Sequence, residues 1–315
     1  MKKICKRIGI ALLIFLLIDI LAIAGLFVWH RSKCKAEQPL LEQKIGTPVT
    51  VDGKTMYVYS EGEGAHTFVF LSGFGTASPI YDFKPLYTKL STDNRIAVVE
   101  KFGYGFSDDS DSPRDLATML SQKRAALTGA GIEAPYVLVP HSASGMEALY
   151  WAQQYPDEVE AIAASDIVVP GSFALQNMSL SADKIMAAIS RCGITRLLDI
   201  RSIEPCTKSD ALTDDEKKTV AAISYARKNN PTVMNEAYMC QQNMQTVTDG
   251  GVPDVPMLFF ISDGYMPENN AAWHKVPRDY TNHEAEYIDL PCGHYCHVEE
   301  ADRMNTEIRR FLDTL

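Results

Sequence analysis

Tyr136-Val137-Leu138-Val139-Pro140-His141-Ser142-Ala143-Ser144-Gly145-Met146 is the stretch that decides the fold. Residues 136–139 are apolar and mostly β-branched or aromatic, the pattern of a buried strand. Small residues follow, and Met146 to Ala152 reads as a helix. A serine on a sharp strand-to-helix turn has its hydroxyl held clear of the backbone, with the helix N-terminus aimed at it. Free amides and the helix dipole there favour a developing negative charge. Such a turn needs small residues two places before and two after the serine. Ser142 has Pro140 and Ser144 in those places, whereas the rival Ser144 would have Ser142 and the bulky Met146. Ser142 is therefore the candidate nucleophile. The plain alternative is a serine-rich helix cap.

Other segments extend the pattern. His66 to Leu71 reads as a strand running into Ser72-Gly73-Phe74-Gly75, and Arg95 to Glu100 as another, leading into Lys101-Phe102-Gly103-Tyr104-Gly105-Phe106-Ser107. Near the C-terminus, Tyr287-Ile288-Asp289-Leu290-Pro291 precedes Cys292-Gly293-His294. In this order and at these separations the motifs resemble the α/β-hydrolase superfamily over residues 46–315. The resemblance implies a mostly parallel eight-stranded sheet flanked by helices.

The N-terminus has a different character. Ile8 to Trp29 is a run of 22 residues whose only charge is Asp19, with Lys2, Lys3, Lys6 and Arg7 before it and Arg31, Lys33 and Lys35 after. As a helix it would be about 33 Å long, enough to cross a bilayer core. Asp19 would oppose insertion by about 3 kcal/mol, which the surrounding Leu and Ile residues offset. A signal peptide cut after Ala22-Ile23-Ala24 is the competing reading. The apolar run continues past that site to Trp29, which suits an interfacial aromatic, so an uncleaved single-pass anchor is preferred. A span so near the N-terminus leaves the tail in the cytoplasm and the bulk of the chain outside. Residues 30–45 read as a stalk.

Charge follows the same division. The first 35 residues carry seven Lys/Arg and one Asp; with −10 on the whole chain, the other 280 residues carry −16. So acidic a domain is a poor partner for nucleic acid.

Residues 171–250 show helical periodicity and almost no strand signal, as in Leu180 to Ser190 and in the Thr213-capped stretch to Lys228. They interrupt the strand–helix alternation where the family carries a cap over its site. The chain divides into a tail and anchor (1–35), a first core part (36–170), a helical cap (171–250) and a second core part (251–315). Met178, Met186, Met234, Met239 and Met244 lie in the cap, either lining a pocket or packing its helices.

Seven cysteines are present. Cys192 and Cys206 flank one cap segment and are the candidate disulfide. Cys292-Gly-His-Tyr-Cys296, with His297 beside it, invites a zinc reading, but no second ligand pair stands at a suitable spacing. No metal or cofactor is expected.

The resemblance assigns the remaining roles. His294 follows the last strand and a glycine, where the family places its general base; His297 is the runner-up, and His141 is read as structural. Asp263, ending the strand Met257 to Ser262, is the expected acid. The family acid often stands slightly further along, where this chain has Tyr265. Asp166, after the sixth strand, is the main alternative and Glu268 a weaker one. The amides of Phe74 and Ala143 are expected to form the oxyanion hole. The implied chemistry is a serine hydrolase acting on a small-molecule acyl substrate, with acyl transfer or a non-catalytic ligand-binding domain as alternatives. A serine nucleophile disfavours the epoxide hydrolase and haloalkane dehalogenase branches, which use aspartate at that place.

Overall fold

Asp52 and Gly53 both take positive φ, 50° and 75°, and so fold Thr47–Val51 (β1) back on Lys54–Glu61 (β2) as a tight hairpin. The computed structural model describes residues 2–175 and 180–315. Six more strands follow: Thr67–Leu71 (β3), Arg95–Glu100 (β4), Tyr136–Pro140 (β5), Val159–Ser165 (β6), Met257–Ser262 (β7) and Glu286–Leu290 (β8). They form one sheet in the order β1-β2-β4-β3-β5-β6-β7-β8. β2 pairs antiparallel with β1 and β4, and all other pairings are parallel.

The helices are α1 (Lys2–Glu42), α2 (Pro79–Asp82), α3 (Lys84–Leu90), α4 (Leu116–Gly129), α5 (Gly145–Gln154), α6 (Leu180–Arg191), α7 (Ile200–Ile203), α8 (Asp214–Arg227), α9 (Pro231–Gly250), α10 (Asn270–Tyr280), α11 (Cys296–Glu299) and α12 (Ala301–Leu312). α2, α3 and α10 lie where the sequence reading assigns no element. Prolines open or interrupt all three, which blurs their periodicity.

The central strands bury both faces, so they read as unbroken apolar runs. Side chains alternate between two cores. Val69 and Leu71 of β3 face the core that α4 and α5 cover, while Phe68 and Phe70 face the one covered by α3 and α12. The Phe70 ring lies 5.1 Å from Phe83. Truncating such a buried ring to alanine costs about 3–5 kcal/mol.

Helices α6 to α9 are inserted between β6 and β7. Met178 and the Met186 side chain lie outside the described residues. Cys192 and Cys206 are not joined, contrary to the sequence expectation: both are free thiols, and Cys206 is buried in the core beside Leu212 and Val220. The stalk reading also changes. α1 runs unbroken to Glu42, past the expected boundary at 35, and its C-terminal part packs on α8. The stretch from Ile4 is long and apolar enough to cross a membrane.

The loops after β3, β4, β5, β6, β7 and β8 all leave the carboxyl edge of the sheet. This is where open α/β sheets bind ligands. Ser72, Lys101, Ser142, Asp166, Asp263 and His294 stand in those loops.

Candidate active site

Ser142 has φ of 56°, a left-handed conformation that a non-glycine residue adopts only when its surroundings force it. Two close approaches do so. A Cβ at Gly73 would lie 2.9 Å from the Ser142 Cβ, so the loop after β3 presses directly on the serine. A Cβ at Gly145 would lie 2.5 Å from the Val168 carbonyl oxygen, so α5 starts hard against the loop after β6. The Val168 amide also donates to the Ser142 carbonyl at 3.0 Å. Ser144 is occupied differently. Its buried hydroxyl meets the carbonyls of Leu71 and His141 at 2.6 and 2.8 Å, and it accepts from the His141 amide at 2.9 Å. It stitches the turn rather than facing the cavity.

Ser142 and His294 line one cavity of about 260 Å³ with Phe74 and Ala143. The Ser142–Ser144 turn leads into α5, whose N-terminus points at this space. Val168, Phe173, Ala237 and Cys240 add apolar wall, the last two from the inserted helix α9. Met234 and Met244 are buried in helix packing.

His294 donates from Nδ1 to Asp166 Oδ2 at 2.6 Å. Asp166, not Asp263, is therefore the carboxylate on this imidazole. Asp166 is fully buried at the end of β6 with φ of 49°. Three further donors fix it: the Ser262 amide at 2.8 Å, the Ser262 hydroxyl at 2.7 Å and the Trp273 indole at 2.8 Å. Asp263 turns outward, half-exposed, and meets Asn270 Nδ2 and His274 Nε2 at 3.1 Å each. Tyr265, near the place where an acid from β7 would stand, stacks on His294 instead, ring centroids 3.8 Å apart at 19°. Glu268 sits in a 3-10 turn beyond it.

His141 and His297 stand behind the site. His141 donates from Nε2 to the His294 carbonyl at 3.1 Å, tying the loop of His294 to the turn at Ser142. Burial, then the neighbouring His297 and His294, hold its pKa well below the ordinary histidine range, so the ring is neutral. His297 is fully buried and pairs through Nε2 with Asp82 at 3.0 Å. The sulfurs of Cys292 and Cys296 lie 3.6 Å apart on either side of His294. That contact and burial raise the Cys296 pKa well above the usual thiol range.

Two supports have no short sequence signature. Tyr104 accepts from the Gly75 amide at 3.3 Å, bracing the loop of Phe74, and donates to Glu236 of α9 at 3.1 Å. Glu236 accepts from Lys101 at 2.5 Å, and Lys101 also reaches Glu147 of α5 at 2.8 Å. Arg114 and Lys123 complete this buried cluster. The only trace in the sequence is a charged residue inside each otherwise ordinary helix or loop.

The sheet order, the strand-to-helix turn at Ser142 and the loops at its carboxyl edge define an α/β-hydrolase-fold protein. Solved structures agree. Cfl2 wild type from Burkholderia cenocepacia gives a TM-score of 0.66 at 20% identity over 84% of this chain and 94% of that one. Epoxide hydrolase VrEH1 from Vigna radiata gives 0.65 at 17% identity over 87% and 99%. No protein-family model matches the chain. The Bacillus subtilis protein described as "Uncharacterized protein YbdG" is 36% identical over 295 residues, spanning 91% of this chain and 90% of that protein. The chain belongs to the same family as that protein.

Proposed function

We propose that the chain is a membrane-tethered serine hydrolase that cleaves a carboxylic ester with a modest apolar acyl group. One observation carries the reading. A serine held at positive φ shares a cavity with a histidine whose Nδ1 is bound to a buried carboxylate. Asp166 fixes the tautomer with the proton on Nδ1, which leaves Nε2 of His294 free to accept. His294 takes the Ser142 proton as Oγ attacks the carbonyl carbon. The tetrahedral oxyanion is held by the amides of Phe74 and Ala143. His294 then protonates the departing alcohol, and the acyl group stays on Ser142. Water, deprotonated by His294, attacks the acyl-enzyme and releases the acid. The anchor over Ile8 to Trp29 keeps the domain at the membrane, on the extracytoplasmic side.

Fluorophosphonate labelling tests the assignment. Wild-type chain should label and Ser142→Ala should not. Ser144→Ala should lose about 1 kcal/mol of stability with its hydrogen bonds yet still label. Labelling that survives Ser142→Ala overturns the reading.

A further inference from the structure

α1 is held by the cap at the point where its apolar run ends. His30 follows that run directly. Gly193 packs against it so closely that a Cβ at 193 would lie 2.4 Å from the His30 Cβ. Arg196 lies along the same helix. Its Nε donates to His30 Nδ1 at 2.9 Å, and its terminal nitrogens reach Glu37 at 2.8 and 2.6 Å. The guanidinium also covers the Tyr225 ring of α8 at 4.2 Å.

The Gly193 contact gives the height of this part of the chain, because it sets residue 193 level with His30. Arg196 stands between His30 and Glu37, whose side chains converge on its one guanidinium. The 3-10 turn Ile194–Leu197 starts directly after Gly193 and so begins level with the end of the apolar run. Leu197 and Leu198 are 67% and 54% exposed there. A single exposed leucine needs no explanation. Two in succession, at the height of the outward-facing Trp29, stand where a bilayer's headgroup boundary would meet them.

We infer that this turn is a second membrane contact. Leu197 and Leu198 enter the headgroup boundary of the bilayer that α1 crosses, and Arg196 braces the cap to α1. The inference rests on reading residues 8–29 as a span. The partner is lipid, because the span fixes what lies beside the turn. The cap is then seated at the lipid surface at two points, through α1 and through this turn.

Tryptophan quenching by brominated lipid tests it on the full chain in phosphatidylcholine vesicles. Trp29 reports the span, since Trp151 and Trp273 are fully buried in the protein. Leu197→Trp and Leu198→Trp, each with Trp29→Phe, report the turn. The expected result is loss of emission at Trp29 in the wild type, with a comparable loss at position 197 or 198. Quenching of Trp29 with none at 197 or 198 overturns the second contact and leaves the span standing. Absence of quenching at Trp29 overturns the span, and the contact with it.

Discussion

Asp166 accepts from four donors inside the protein, whereas Asp263, among the described residues, meets Asn270 and His274 in a half-exposed setting. That contrast predicts two unlike substitutions. Asp166→Asn presents an amide to His294 Nδ1, which disfavours the productive tautomer, and should lower kcat by about four orders of magnitude. It also disrupts charge-assisted hydrogen bonds worth about 1.5–3 kcal/mol each, so stability should drop with activity. Asp263→Asn should change stability by less than about 0.5 kcal/mol and leave kcat close to wild type. Steady-state kinetics with denaturant melts on both variants decide the matter. A silent Asp166→Asn beside an inactive Asp263→Asn would reverse the assignment.

Helix α9 works on two surfaces. Ala237 and Cys240 face the cavity, while Glu236 enters the buried cations beneath it. Burial alone would raise the Glu236 pKa, but Lys101 and Arg114 outweigh it and hold the carboxyl below its usual range. Through Tyr104 this carboxylate is joined to the loop of Phe74. Glu236→Gln leaves the cations under-compensated and should cost about 3–5 kcal/mol. Adding Lys101→Met should recover part of that loss, because a buried charge is removed with its partner. A double-mutant cycle in urea measures the coupling, and strict additivity would count against the Lys101–Glu236 pair as a coupled unit. On the cavity side, Phe173→Ala should enlarge the space that the proposed acyl group would fill. Preference in kcat/KM should move toward longer acyl chains, by at most about 1–3 kcal/mol per methylene-scale change. An unchanged ester profile would make this part of the cap a scaffold rather than a pocket wall.

At the scale of the whole molecule, buried titratable groups set how stability responds to pH. Burial pushes Glu100 up to about 7, against the Phe106 amide and Ser78 hydroxyl that favour its charged form. A carboxyl raised on folding binds its proton more tightly in the folded state. Its contribution is complete below the unfolded value near 4.5 and is lost as pH rises to about 7. His141 acts in the opposite sense: held neutral when folded, it favours the fold above the ordinary histidine pKa and less as pH falls. Comparing wild type with Glu100→Gln isolates the first effect. Wild-type stability relative to the variant should fall by about 3 kcal/mol between pH 4.5 and values above 7. A difference independent of pH would show that Glu100 does not change protonation on folding.

What the chain determines locally could be read from it directly. An apolar run between basic flanks makes the N-terminal helix, since its length and hydropathy are set by its own residues. The strand, turn and helix over 136–152 follow from β-branched, small and then helix-forming residues in succession. Four such loops in order define the fold, and they mark Ser142 and His294 as residues the sheet edge brings to one cavity. Choosing between Asp166 and Asp263 lay beyond that reach. Each directly follows a strand, and nothing next to either tells them apart. Trp273 and Ser262, 107 and 96 residues away in sequence from Asp166, supply the buried donors that make it the carboxylate on His294. The same holds for the C-terminal turns of α1, whose polar composition reads as a stalk until Arg196 and Gly193 close on them. Hydrophobic period and turn chemistry act between near neighbours in the chain and leave their mark there. Hydrogen bonds that desolvate a charge act between residues that only the folded chain brings together.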